Sequence, residues 1–231
     1  MNVHMRHSHG LGSRVVRSGS VSHHARFAVR NGRGQAVASQ KERRERTIRA
    51  IVMAARELMA ARGYADVTID DIVGRAGVAK GAFYHHFSSK QALLDVVVDE
   101  LQGEIADELR DNRRDGPLTA GILADILEEY LRRAAQPARR RLVLVEGPEV
   151  LGWERWREID DRHFAGMTRA GIAAILSSGT APAVVDDATR LILGAVMEAA
   201  LATGRADDPD TTAARYGRLL GGLLSGLTRE A

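Results

Sequence analysis

The chain has 231 residues and no Cys, long enough for one to two domains with a sizeable core. Zero Cys excludes a disulfide scaffold, a cysteine nucleophile and a thiolate metal site, and no apolar run approaches the roughly 20 residues of a membrane-spanning helix. The net charge of +3 is unevenly spread: residues 1–40 hold six Arg and no acid, residues 41–90 ten basic against six acidic side chains, and residues 91–231 17 against 24. A basic front end suits a polyanion, and an acidic back end suits something else.

Residues 1–40 are rich in Gly, Ser, Arg and His and carry no apolar stripe, so a disordered basic tail is expected. No apolar stretch of secretory-signal length is present; the Arg- and Ser-containing, acid-free composition superficially fits an organellar transit peptide. A solvated tail and an upstream extension, with Val37 as an internal start, are the other readings. Five of the eight His fall here, including His7, His9, His23 and His24. No rigid second shell accompanies them, so weak phosphate contacts are favoured over a metal site.

From residue 42 a helical period begins. Ile48, Ile51, Val52, Ala55, Leu58 and Met59 share a stripe, Arg43, Arg44, Arg46 and Arg49 crowd its start, and Gly63 stands where a left-handed cap belongs. Thr68 with Asp71 forms a T-x-x-D capping box opening a short helix that ends at Gly77. A third short helix is predicted over residues 80–86. Ser88 with Gln91 reads as another capping box, opening a long helix through Leu94, Val97, Val98, Leu101 and Ile105.

Two short helices around a Gly-containing turn are the sequence image of a helix-turn-helix, whose second helix lies in the major groove of duplex DNA. Aromatic residues, at 4%, are too sparse for a platform that stacks single-stranded bases. Gly81 and Ala82 allow close approach, Lys80 stands at the helix start, Tyr84 and His85 supply donors, and Lys90 adds a cation at the next helix. Phe83 and Phe87 are read as the docking side. Singly, Tyr84, His85 and Lys90 are equally well read as rim or surface residues.

The run Thr68-Ile-Asp-Asp-Ile-Val-Gly-Arg-Ala-Gly-Val-Ala-Lys-Gly-Ala-Phe-Tyr-His-His-Phe-Ser-Ser-Lys-Gln-Ala-Leu-Leu94 closely resembles the signature of the tetracycline-repressor-like (TetR) family, and the match extends over about residues 43–101. The resemblance implies an all-α protein with an N-terminal three-helix helix-turn-helix domain (residues 41–90) and a larger C-terminal helical domain (residues 91–231) for ligand binding and dimerisation. It implies a homodimer on a palindromic double-stranded operator and an unknown small-molecule inducer. It places Lys80, Gly81 and Ala82 against bases, and Thr68, Tyr84, His85 and Lys90 against the phosphate backbone. Many members carry Ser or Thr where this chain has Ala79 and Ala82. A hydroxyl contact is therefore lost at both, while Ala82 retains an apolar contact to a thymine methyl.

Residues 103–231 read as further helices. The predicted spans are 118–131, a segment from 139 broken near Gly147-Pro148, 153–176, one bearing Ala188 to Ala199 and ended by Gly204, and a last one with Tyr216, Leu219, Leu220, Leu223, Leu224 and Leu227 on one face. The family resemblance makes the last two a four-helix dimer interface; an ordinary core hairpin fits the pattern equally well. Tyr130, Trp153, Trp156, His163 and Phe164 are candidate walls of a ligand pocket, with plain core packing as the alternative. His163 with Glu158, Asp160 and Asp161 lacks a second ligand group at metal spacing, and no catalytic motif is present, so no metal, cofactor or enzymatic role is expected. A small-molecule binding protein or enzyme with merely structural N-terminal helices is the rival reading. Cysteine-free composition and the lack of a membrane span point to the cytoplasm.

Overall fold

The computed structural model describes residues 32–112 and 116–230; the expected tail over residues 1–31 lies outside them. Residues 43–231 form one compact unit, and the residues before them contribute only the opening turns of α1 to the described residues. Among the described residues every element is helical: α1 (Gly32–Arg62), α2 (Ile69–Ala76), α3 (Lys80–His86), α4 (Lys90–Asp111), α5 (Ala120–Ala134), α6 (Pro137–Arg139), a π-helix (Arg140–Glu146), α7 (Gly147–Leu151), α8 (Trp153–Ile175), α9 (Pro182–Arg205) and α10 (Pro209–Glu230). Helix α1 thus starts inside the stretch expected to be tail.

The short helices are closed by their own side chains. Thr68 Oγ1 accepts the Asp71 N–H at 3.1 Å while Asp71 Oδ2 accepts the Thr68 N–H at 2.9 Å, the reciprocal box read from the sequence. Gly77 ends α2 at φ +67°, a left-handed position that a side chain would strain. At α4 the structure corrects the reading: Ser89, not Ser88, is the cap, accepting the Ala92 N–H at 3.0 Å. Gln91 turns away to donate to the Val150 carbonyl at 2.8 Å.

The first core gathers Ile51, Val52, Ala55 and Met59 of α1, Ile72 and Val73 of α2, Phe83 of α3, and Leu93, Leu94 and Val97 of α4, all buried. Helix α4 carries the chain into the C-terminal bundle, where α8 packs on α4 and α9, and α10 lies along α5 and α9.

The break expected near Gly147-Pro148 follows a π-helix over Arg140–Glu146. In that geometry the amide of residue 148 would bond the carbonyl of residue 143. Pro148 has no N–H to give. Trp156, fully buried, supplies the donor instead: its Nε1 reaches the Val143 carbonyl at 2.7 Å.

Candidate DNA-binding and ligand sites

Helix α3 is anchored by Phe83, whose ring lies 5.7 Å from that of Phe87. Lys80, Gly81, Tyr84 and His85 are exposed on it and Ala82 is half-buried, so the residues expected at DNA share one outward surface. A Cβ built on Gly81 meets no atom within 4 Å, so nothing inside the protein requires glycine there. Tyr84 rests edge-on against Phe83 with its ring centroid 5.3 Å away. The Lys80 ammonium sits 2.8 Å from Asp70 of α2, and this hydrogen bond raises its pKa above the ordinary lysine value. Thr68 is exposed, and its hydroxyl also donates to Asp71 Oδ2 at 2.7 Å. Bonds from Thr68 and, secondarily, the Arg62 charge hold the Asp71 carboxyl below its usual range.

Lys90 is placed differently from the other six. Its half-buried Nζ donates to the Tyr64 carbonyl at 2.8 Å and the Val67 carbonyl at 2.7 Å, and stands 4.2 Å from the Tyr64 ring centroid. Two of its three donors hold the loop between α1 and α2. Exposed Arg43, Arg44, Arg46 and Arg49 on α1 add cations near the module.

A cavity of about 730 Å³ opens among α4, α5, α8 and α9, walled by Leu123, Leu127, Met167, Leu193 and Val196 among others. Tyr130 and Phe164 lie on it, their rings edge to face at 4.9 Å. The other three candidates fall outside. Trp156 is spent on the π-helix, Trp153 is 47% exposed and stacked on Trp156, and His163 Nε2 is 2.9 Å from Asp99 Oδ1 of α4. Asp160, weighed in the sequence only for metal or acid–base work, is a buried carboxylate on the cavity wall, which also carries Arg110 and Thr168. It is 5% exposed and accepts from Tyr130 Oη at 3.3 Å and Gln102 Nε2 at 3.2 Å. Burial pushes its carboxyl up to about 7, with the neighbouring Asp161 charge adding to the rise. Asp160 lies four residues from both Trp156 and Phe164, an acid on the apolar stripe of α8, and that misplaced polarity was the available signal. Among the described residues no group of three His or acidic side chains is placed to hold a metal ion.

The two regions are tied by polar contacts. Glu104 of α4 pairs with Arg56 of α1, at 2.9 Å for Nη2, and with Arg139 at 3.4 Å. Arg139 and Arg133 also bond Glu108, and these bonds hold its carboxyl down to about 2. Arg141 donates to the Ala60 carbonyl at 3.1 Å.

Helices throughout the described residues, with this helix-turn-helix ahead of a larger helical region, define a class of DNA-binding regulator. Residues 51–97 match the sequence model described as bacterial regulatory proteins of the tetR family, and residues 121–227 match that of the tetracyclin repressor-like C-terminal domain. The transposon Tn10 TetC protein of Escherichia coli is 30% identical over 154 residues, covering 67% of this chain and 78% of TetC. A TetR-family regulator from Pectobacterium atrosepticum superimposes with a TM-score of 0.61 at 29% identity, over 81% of this chain and 96% of its own. RolR, solved as a complex with resorcinol, shares the fold at 22% identity with a TM-score of 0.59, over 82% of this chain and 94% of its own. The chain belongs to the TetR family of helix-turn-helix transcriptional regulators. Among its described residues no helix is long and apolar enough to cross a membrane.

Proposed function

We propose that the protein is a repressor that binds a palindromic operator as a homodimer in the cytoplasm and is released by a small-molecule inducer. The observation that carries this reading is the cavity of about 730 Å³ walled by α4, the helix that also starts at the helix-turn-helix. An occupant that shifts α4 shifts the DNA-reading module with it. Successive major grooves lie about 34–36 Å apart, so a splay of a few ångströms in a dimer costs affinity.

Exposed Lys80, Gly81, Tyr84 and His85, with Ala82, support base and backbone contact, and Thr68 supports a phosphate contact at the start of α2. Lys90 serves them indirectly by fixing the loop before α2. The dimer reading rests on Leu191 of α9 and Leu219 and Leu223 of α10, which are 72%, 59% and 53% exposed. A Cβ on Gly222 or Gly226 meets nothing within 4 Å, so packing within the chain does not require these two glycines, whereas Gly217 and Gly221 of the same helix lie against Glu128 and Ala124 of α5.

Selection of bound sequences from random duplexes, followed by titration of the winner at two salt concentrations, tests the proposal. A two-fold symmetric site whose affinity falls steeply with salt is expected, because several phosphates are neutralised. Failure of the ligand-free protein to select any sequence would refute it.

A further inference from the structure

We propose that the cavity takes an amphipathic organic amine, with an apolar, ring-sized body against the leucine walls and one protonated nitrogen seated on Asp160. The inference rests on reading the cavity as the regulator's ligand site and adds the chemical class of the ligand. A volume of about 730 Å³ falls within the roughly 300–1,000 Å³ of sites for drug-sized molecules.

The charge inventory around Asp160 selects the amine. Both hydrogen bonds to the carboxylate come from neutral donors, Tyr130 of α5 and Gln102 of α4, and both fall on Oδ1 at 3.2–3.3 Å. Among the described residues no Lys, Arg or His forms an ion pair with it. The Arg157 charge, on the same helix, lowers the Asp160 carboxyl only in part and forms its ion pair with Asp161 at 3.8 Å, and Arg110, on the cavity wall from α4, pairs with Asp107. Helix α9 brings only the apolar Leu193 and Val196 to the wall.

A buried carboxylate without a cation carries an uncompensated desolvation cost. An anionic ligand would be repelled, and a neutral one would leave that cost in place. An ammonium supplies both the countercharge and a charge-assisted donor. The elevated pKa of Asp160 agrees with a carboxylate lacking a cation.

The test compares naphthylethylamine with naphthylethanol, a pair differing in the cationic group, by calorimetry on the full chain. Wild type is expected to bind the amine about tenfold or more tightly than the alcohol. Asp160→Asn, which keeps the side-chain volume, is expected to abolish the preference by weakening the amine. A measurement on wild type alone removes any dependence on the variant's folding. At pH 7, in buffers of different ionisation enthalpy, amine binding should release about half a proton, because a carboxyl titrating at about 7 becomes fully ionised. Equal affinities in wild type, a preference surviving in Asp160→Asn, or no proton release overturns the amine assignment and leaves the ligand-site reading standing. Binding of neither compound overturns both.

Discussion

The Glu146 carboxylate accepts the backbone N–H of Tyr64 through both oxygens, at 3.0 Å each. The acceptor ends the π-helix, and the donor opens the loop into the helix-turn-helix. The approach is close, since a Cβ on the preceding Gly63, at φ +93°, would stand 3.0 Å from Glu146 Oε1. With Arg141 on the Ala60 carbonyl, it forms a second tie between the halves beside α4.

Glu146→Ala removes that acceptor and leaves the Tyr64 amide to water. A hydrogen bond to a charged group contributes about 1.5–3 kcal/mol, so exchange of this amide is expected to accelerate at least tenfold. Operator affinity should also become less sensitive to ligand. Hydrogen exchange of Tyr64 checks the first expectation; unchanged protection would show the bond to be dispensable.

Most of the helix-turn-helix was legible because its signals are local. Thr68 and Asp71 are three residues apart, Gly77 needs a left-handed backbone, and the stripe through Ile51, Val52 and Met59 lies within one helix. What failed to show depends on distant partners. Nothing near Lys90 announces that Tyr64 and Val67, 26 and 23 residues away, present carbonyls to it. The indole of Trp156 is claimed by a carbonyl 13 residues back that Pro148 leaves unbonded, and aromatic content alone cannot separate that use from pocket lining. Asp160 looked like one charge in an acidic run, and only the packing of α4 and α5 on α8 turns it inward.

Lys80 and Lys90 should separate cleanly when mutated. Lys80 is exposed and bonded only to exposed Asp70, so Lys80→Ala is expected to leave the melting temperature nearly unchanged and to alter base preference. Lys90→Met removes the donor to two loop carbonyls, with an expected destabilisation of about 1–3 kcal/mol. Its operator binding should keep the wild-type salt slope once the protein is folded. A slope lower by about one in Lys90→Met would instead place that ammonium on a phosphate.

Gly147→Ala tests the π-helix. An added Cβ would lie 2.7 Å from the Leu142 carbonyl oxygen and 3.1 Å from Trp156 Cδ1, and the first of these is backbone that cannot swing aside. Destabilisation beyond about 2 kcal/mol is expected, the range of overpacked cores. Trp156→Phe should cost at least as much, since it opens a cavity and orphans the buried Val143 carbonyl. Chemical denaturation of both variants provides the measurement, and a neutral Gly147→Ala would mean that this stretch relaxes to an ordinary α-helix.

Asp160 gives stability a pH dependence opposite to that of a salt-bridged acid. Its carboxyl titrates at about 7 in the folded protein against an ordinary value of 3.8, so the folded state binds the extra proton between those limits. Stability from this group is therefore greatest below the ordinary value, declines as pH rises through the window, and is fully lost above about 7. Asn at this position keeps the size and never ionises. Asp160→Asn is expected to gain stability relative to wild type on the order of 2 kcal/mol more at pH 8 than at pH 5. Glu108 works in the other direction: its carboxyl, held at about 2 by Arg139 and Arg133, stabilises above its ordinary value of 4.5, and that contribution is lost only as pH falls below it. Comparing the two proteins at pH 5 and pH 8 isolates Asp160, because Glu108 is ionised in the folded state at both. A gain that is equal at the two pH values would mean that Asp160 is already ionised in the folded protein at pH 5, with a cation beside it.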